Sequence, residues 1–298
     1  MSMAAAQSPP RRGRALRIGR VRAWARIARS ALNRYWRDDG DAMAGYIAYS
    51  CFLSLFPFAI FATALAGVII GPRDADEILD ALLGLAPEHI ALTLAPVVKG
   101  VTEGASERLA TISAVAGLWV ASNAVESIRV AFDRAYAAPS PRSFVRRRAR
   151  ALGFVLLATL IFGLLGLLVI AAPLALSMAE TRLGFSTPWG LGLVRHGLGL
   201  AVLAFFLFQL HLLLPTRRPP RRRLWPGIWV SAALWTVAAL GFSVYLAWAP
   251  SYAATYGAFA GVIVTLLFFY LTGAAIILGA QVNAALTAFR PNRPRDET

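Results

Sequence analysis

The chain of 298 residues is 58% hydrophobic and only 15% charged, and its mean hydropathy is +0.60. Soluble domains carry about 25% charged residues, so this composition excludes an ordinary soluble domain and indicates a membrane protein. A net charge of +15 would suggest nucleic-acid binding in a soluble protein. Here the basic residues flank apolar segments, so we expect them to meet anionic lipid headgroups and no nucleic acid.

The N-terminal region changes character at residue 16. Residues 1–15 are rich in Pro and Arg and are expected to form a disordered basic tail. Over residues 16–37, arginines occupy most of the helix surface and apolar side chains recur at helical spacing, at Val21, Trp24, Ala28, Ala31 and Tyr35. This pattern predicts an amphipathic helix on the cytoplasmic membrane surface. A break at residues 38–41 then caps the first span.

Six apolar stretches follow, each long enough to cross a bilayer at about 20 residues per crossing. They cover residues 43–70, 110–132, 150–178, 189–214, 225–248 and 257–288. The acidic segment between the first two contains a short apolar stretch at 90–98, which favours an interfacial or re-entrant periplasmic helix over another span. We therefore predict an all-α bundle of six transmembrane helices, with one membrane domain over 16–288 and a cytoplasmic tail over 289–298.

The basic residues give this bundle an orientation. Most of the 30 Lys and Arg residues lie in four blocks, at residues 11–37, 129–150, 217–223 and 290–295. Pairs of apolar stretches separate the blocks, which is the positive-inside pattern of a multi-pass protein. We predict a protein of the bacterial inner membrane with both termini in the cytoplasm.

Ionisable and amide side chains within the spans are the candidate site residues, because they are costly in lipid. Asn123 and Glu126 share a face of the second span. The structural alternative is that Glu126 pairs with Arg129, and Arg129 with Asp133, to close a helix end. Arg195 in the fourth span either snorkels outward or meets an anionic headgroup in a wet cavity. The candidate cavity set is Asn123, Glu126, Arg195, Gln209, Gln281 and Asn283.

The last span is rich in small residues, which let helix backbones approach closely in lipid. Its candidate packing positions are Gly257, Gly261, Gly273 and Gly279. The amides of Gln281 and Asn283 follow and need partners. Both a closely packed core helix and a helix lining a pathway are compatible with this pattern.

Four stretches resemble the YihY/BrkB family, whose members were once labelled ribonuclease BN. AGYIAYSCFLSLFPF in the first span is similar to the family's A-Y and S-L-F-P pattern, and WVASNAVESIRVAFDRAY in the second resembles its polar stretch. LLLPTRRPPRRRLWPG resembles the family's basic loop, and YGAFAG with LGAQVNA resembles its Y-G-S-F-G and L-G-A-E-x-N ending. This sequence departs from the pattern with Asp133 at a usual Asn, with Ala258 and Ala260, and with Gln281 where an acid is common. The resemblance implies a six-span inner-membrane protein, with envelope integrity, serum resistance, lipid handling or transport as associated roles.

Three classes of function remain to be compared. The leading prediction is transport or lipid handling in the envelope. The alternative is a scaffold that does not transport and that binds an envelope partner or forms a homo-oligomer. An enzyme is not expected, because the three histidines are isolated and no metal, phosphate-loop or nucleophile motif occurs. We expect no catalytic residues, cofactor or metal, and nuclease activity is disfavoured by cytoplasmic loops with many arginines and few acids. Nothing in the sequence specifies the substrate, direction or coupling ion.

Overall fold

The computed structural model describes residues 12–71, 95, 107–138, 143–183, 188–217, 220–248 and 259–288. All regular structure in these ranges is helical. The described ranges contain seven long helices and one short 3₁₀ turn at Arg221–Arg223. The helices are α1 Arg12–Arg37, α2 Gly40–Ile70, α3 Glu107–Ala135, α4 Phe144–Leu183, α5 Pro188–Leu213, α6 Trp225–Trp248 and α7 Phe259–Ala288.

Each of the six predicted spans falls on one helix from α2 to α7, and α3 and α4 extend beyond both ends of theirs. Within the described residues, three stretches are long and apolar enough to cross a membrane, at Gly40–Leu65, Arg221–Tyr245 and Gly261–Ala288. A shorter apolar helix covers Gly199–Leu213. The fold is therefore that of a helical membrane protein, and the count of six crossings stays a prediction.

Several predicted segments fall outside the described residues. These are most of the tail over 1–15, the proposed periplasmic helix at 90–98 apart from Ala95, and the tail over 289–298. The helix α1 begins at Arg12, ahead of the predicted start at residue 16.

A tight elbow joins α1 to α2. Asp39 adopts a left-handed conformation with φ of 56°, and Gly40 lies against the ring of Tyr35, where a Cβ would overlap the ring. Tyr270 of α7 donates a hydrogen bond to Asp41. Burial, followed by the proximity of Tyr270 and Asp41, raises the pKa of Tyr35 to about 12. The elbow is thus held by a neutral tyrosine and a tyrosine–aspartate contact to α7.

Small residues set the closest helix crossings. A Cβ at Gly117 of α3 would overlap the carbonyl oxygen of Pro57 in α2. A Cβ at Gly273 of α7 would lie 3.3 Å from the backbone of Ala44 in α2. A Cβ at Gly279 of α7 would overlap both Ser231 and the carbonyl oxygen of Gly227 in α6. In lipid, packing of this kind replaces the hydrophobic effect as the force between helices.

The main core lies at the end of the bundle that carries the basic blocks. Phe132 of α3 is fully buried there, and its ring centroid lies 4.7 Å from that of His211 of α5. Leu224 before α6 and Ile277 of α7 belong to the same cluster. This cluster is therefore the point at which the ends of α3, α5 and α7 meet the start of α6.

The helix α1 packs on this end with only part of its apolar face. Ile27 and Ala31 contact Val282 and Ala285 of α7. Three other large apolar side chains of the helix are about half exposed, at Trp24, Leu32 and Trp36. The predicted apolar face is therefore divided, with Ala31 and Tyr35 against the bundle and Trp24 and Ala28 on the outside.

A cap at the end of α7 gives a modest prediction. Arg223 donates from one guanidinium nitrogen to the carbonyl oxygens of Leu286 at 3.1 Å and Thr287 at 3.2 Å, which are unpaired within the helix. Because the arginine is exposed, we expect Arg223→Gln to lower the free energy of unfolding by about 0.5–1 kcal/mol. Unfolding by titration with SDS in mixed micelles measures this change. A loss as large as that of a core truncation would contradict the role as a surface cap.

Candidate functional site

A charged cluster lies on one face of α3. Arg129 donates two hydrogen bonds of 2.8 Å to the two carboxylate oxygens of Glu126, and it also pairs with Asp133. Arg129 is only 7% exposed, so its charge is withdrawn from solvent and depends on these two carboxylates. The geometry is the i+3 and i+4 pairing that the sequence offered as the structural alternative.

Asp133 also fixes the segment that follows α5. Its Oδ1 accepts a hydrogen bond of 2.7 Å from the backbone N–H of Thr216, and its Oδ2 accepts one of 2.9 Å from the Thr216 hydroxyl. These residues are 83 positions apart in the chain. One carboxylate therefore joins the charged cluster of α3 to the loop that leads into α6.

Two arginines from the start of α4 complete the cluster. Arg147 donates to Glu126 Oε1 at 3.2 Å. Arg148 donates to Asn123 Oδ1 at 2.8 Å and to the carbonyl oxygen of Trp119 at 2.7 Å. Its guanidinium lies 3.8 Å from the centre of the Trp119 ring, a cation–π geometry. The candidate residues Asn123 and Glu126 thus share a basic neighbourhood.

A shallow recess opens beside this cluster. It has a volume of only about 10 Å³, room for roughly one water molecule, and its accessible wall is almost entirely apolar. The residues around it are Val125, Glu126, Arg129, Arg147, Arg150, Ala151 and Leu214. With three arginines and one glutamate, the lining carries an excess of positive charge. The Nε atom of Arg147 is buried and has no hydrogen-bond partner within the described residues. The recess is therefore a water-sized gap at which arginine side chains of α3 and α4 meet an apolar wall.

The amides of α7 lie in two other contacts. Gln281 Nε2 donates to Asp38 Oδ2 at 3.0 Å, which ties α7 to the elbow after α1. Asn283 Oδ1 accepts a hydrogen bond of 2.8 Å from the backbone N–H of Gly227. Both side chains are buried, and the carbonyl oxygen of Gln281 has no hydrogen-bond partner within the described residues. These contacts fasten α7 to α1, α2 and α6.

The Gln281–Asp38 contact predicts the effect of an acid at position 281. In Gln281→Glu the donor is lost and two carboxylates face each other, so we expect the variant to be destabilised by about 1–3 kcal/mol at neutral pH. Protonation of either carboxyl group removes the repulsion and restores a donor, so the loss should diminish as the pH falls. Thermal unfolding in detergent across pH 5 to 8 measures this.

The matched control reverses the contact. In Gln281→Glu with Asp38→Asn, an amide again faces a carboxylate, and stability should return toward that of the original chain. A single variant as stable as the original chain at neutral pH would contradict the contact.

The remaining candidate residues are only partly described. Gln209 is partly buried on α5. Arg195 lies on α5, with its side chain outside the described residues, and Gly257 is outside them altogether. Gly261 lies in the first turn of α7, where its carbonyl oxygen accepts a hydrogen bond of 2.7 Å from Thr265. Across the described ranges, no group of three His, Cys, Asp or Glu residues is placed to hold a metal.

Some site residues were not selected from the sequence. Arg147, Arg148 and Arg150 were assigned to topology alone, although their side chains form one wall of the site. Thr216 carried no signal, because its partner Asp133 is remote in sequence. One indication was present in the sequence. Arg147 and Arg150 are three residues apart and so share a helix face, and they follow the acidic face of α3 after a short loop.

The apolar helices and the basic end define the class of this chain, a helical membrane protein. The chain belongs to the family described as Virulence factor BrkB, whose profile matches residues 31–298. It is 28% identical over 260 residues to the ribonuclease-like protein YfkH of Bacillus subtilis, covering 85% of this chain and 92% of that one. It is 26% identical over 268 residues to a UPF0761 membrane protein of Pseudoalteromonas atlantica, covering 88% and 86%.

A shorter similarity reaches another named relative. The chain is 31% identical over 97 residues to the UPF0761 membrane protein YihY of Salmonella typhimurium, which is 33% of each chain. No solved structure matches the chain. The resemblance to the YihY/BrkB family inferred from the sequence motifs is confirmed.

Proposed function

We propose that this protein lies in the bacterial cytoplasmic membrane, crosses it six times with both termini inside, and transports or otherwise handles an envelope lipid. The observation that carries the proposal is the charged cluster of Glu126, Arg129 and Asp133 on α3, beside an arginine-lined recess with an apolar wall. Ionisable groups within a membrane helix are functional candidates because their burial is costly. Arginine side chains beside an apolar surface match a molecule with a charged head and an apolar body.

The aromatic residues support this orientation. Four tryptophans are about half exposed on the basic helix α1 or at the start of α6, which follows an arginine block: Trp24, Trp36, Trp225 and Trp229. Tryptophan collects at the headgroup level of a bilayer, and arginine collects on its cytoplasmic side. We place the outward-facing apolar side chains of α1 at the same headgroup level, with Trp24, Leu32 and Trp36 in contact with lipid.

Movement of a fluorescent phospholipid tests the transport form of the proposal. The purified full-length chain is reconstituted into vesicles that carry a headgroup-labelled phosphatidylglycerol, and an impermeant reductant bleaches the label in the outer leaflet. We expect the protein to let the inner-leaflet label reach the reductant. Bleaching that stops at the same fraction as in protein-free vesicles would contradict transport of this lipid class.

A second candidate is a scaffold that binds an envelope partner. The observation favouring it is that Glu126, Arg129 and Asp133 are paired with each other, and Asp133 with Thr216, as in a structural network. Cross-linking in native membranes distinguishes the two. A scaffold predicts one stoichiometric partner protein and no lipid movement, whereas lipid handling predicts lipid movement by the purified chain alone.

We propose further that this chain is not a nuclease, although one relative is named ribonuclease-like. Phosphodiester hydrolysis at a protein site uses metal ligands or an acid–base set, and the cytoplasmic loops offer mainly arginines. RNA incubated with the purified chain and Mg²⁺ should stay intact. Cleavage that co-purifies with the chain and disappears in Glu126→Gln would contradict this proposal.

A further inference from the structure

Of the two α4 arginines beside the recess, Arg147 is paired with the cluster and Arg150 is exposed. Glu126 is already held by two hydrogen bonds from Arg129, and Arg147 adds only one longer contact of 3.2 Å. The Nε of Arg147 is buried without a partner in the described residues. Arg150 also lines the recess and is exposed. Arg150 can therefore meet an incoming anion directly, and Arg147 can join it by giving up only its 3.2 Å contact with Glu126, so the Glu126–Arg129 pair stays intact.

A row of mostly apolar residues, here called the α4 track, runs along α4 from the recess toward the interior of the membrane. The track consists of residues that repeat at i+3, i+4, i+3 and i+4 and so share one helix face: Arg150, Gly153, Leu157, Leu160 and Leu164. Leu160 and Leu164 are about two-thirds exposed. A Cβ at Gly153 would meet nothing within 4 Å, so the glycine leaves an open notch between the arginine and the leucines.

We propose that Arg147 and Arg150 bind the phosphodiester of an anionic glycerophospholipid from the cytoplasmic leaflet, with its glycerol at the Gly153 notch and an acyl chain along the α4 track. Charge complementarity selects the occupant: arginine binds phosphate oxygens in bidentate fashion, and the cytoplasmic leaflet supplies anionic lipid. The apolar track distinguishes a lipid from a free phosphate. This inference rests on the lipid-handling function and assigns it a binding site.

Lipid selectivity measures the site directly. The full-length chain is equilibrated with vesicles of equal phosphatidylglycerol and phosphatidylcholine, extracted in mild detergent, and its bound lipids are quantified by mass spectrometry. The original chain should be enriched in phosphatidylglycerol. Arg147→Gln with Arg150→Gln should lower the enrichment by about 30-fold, because two arginines that contact the phosphate contribute about 1 kcal/mol each to anionic lipid binding.

Two further variants separate this site from general charge and from misfolding. Arg221→Gln with Arg222→Gln removes equal charge from an exposed turn at the same end and should leave the enrichment within about twofold, as non-contacting surface charges are largely screened. Gly153→Leu fills the notch and is compatible with the helix, because the space around Gly153 is open. This variant should bind less phosphatidylglycerol while its thermal unfolding midpoint stays that of the original chain. Full-length elution by size exclusion confirms the fold of each variant.

The outcomes are distinct. Equal losses in the two arginine pairs would overturn the site in favour of unspecific attraction. Displacement of the lipid by excess inorganic phosphate, with no effect of Gly153→Leu, would overturn it in favour of a phosphate site. If the chain still moves labelled lipid across vesicle membranes but the Arg147 and Arg150 substitutions leave lipid selectivity unchanged, the proposed site is wrong and the proposed function stands. If the original chain shows neither selectivity nor lipid movement, both fail.

Discussion

Replacing Arg129 with Ala should lower the free energy of unfolding by about 3–5 kcal/mol, the usual loss when one partner of a buried ion pair is removed. Arg129 is the common partner of Glu126 and Asp133, and its side chain is only 9% exposed. Without it, two carboxylates repel each other at partly buried positions, and the carboxylate that holds Thr216 loses its counter-charge. Titration with SDS in mixed micelles measures the loss.

Two controls test whether charge pairing is the cause. Arg134→Gln removes an arginine from the same helix whose contact with Asp39, at 3.1 Å, is exposed on both sides, so its effect should stay within about 1 kcal/mol. Adding Glu126→Gln and Asp133→Asn to Arg129→Ala removes both stranded charges and should recover part of the loss. Equal effects of Arg129→Ala and Arg134→Gln would show that the cluster does not stabilise the fold.

Gly279→Leu should separate α6 from α7 and prevent the chain from folding stably in detergent. A Cβ at this position would overlap Ser231 and the carbonyl oxygen of Gly227. Backbone atoms, unlike the end of a flexible side chain, cannot move to make room. The variant would also disturb the Gly227–Asn283 hydrogen bond of 2.8 Å and the 3.1 Å bond from Ser231 to the carbonyl oxygen of Ala275. Overpacking costs about 1–3 kcal/mol even where side chains can adjust, so we expect at least that loss.

Gly241→Leu is the matched control on the partner helix. A Cβ at Gly241 meets nothing within 4 Å, and leucine favours the helix over glycine by up to about 1 kcal/mol. Its unfolding midpoint should equal or exceed that of the original chain. If Gly279→Leu unfolds at the same SDS fraction as Gly241→Leu, the close crossing of α6 and α7 is not a source of stability.

Local relations were predictable from the sequence, and remote ones were not. Helix periodicity places Glu126, Arg129 and Asp133 on one face at i+3 and i+4, and the structure pairs them. The membrane class and the family followed from composition and motifs in the same way. The partner of Asp133 is 83 residues away and that of Gln281 is 243 residues away, and no local rule relates such positions.

The glycines illustrate the same limit. Small residues in the last span indicated close packing, but they could not show that Gly279 lies on Gly227 or that Gly273 lies on Ala44. Likewise, the arginines before α4 were explained by topology, and only the fold shows Arg147 against Glu126 and Arg148 over Trp119. A basic residue can orient a membrane protein from any position near the cytoplasmic surface. A recess forms only where particular helices are neighbours, and the sequence does not show which helices these are.

The central claim is that the arginine-rich helix ends all lie in the cytoplasm, where they meet anionic lipid. Single cysteines test this most directly once the one native cysteine, Cys51, is replaced by Ala. Cysteines at Ser143, Thr216 and Arg290 should react with an impermeant maleimide in inverted membrane vesicles and stay protected in intact spheroplasts, and one at Ala95 should show the reverse. Labelling of positions 143 and 216 from opposite sides of the membrane would contradict the six-span topology and the lipid-facing site built on it.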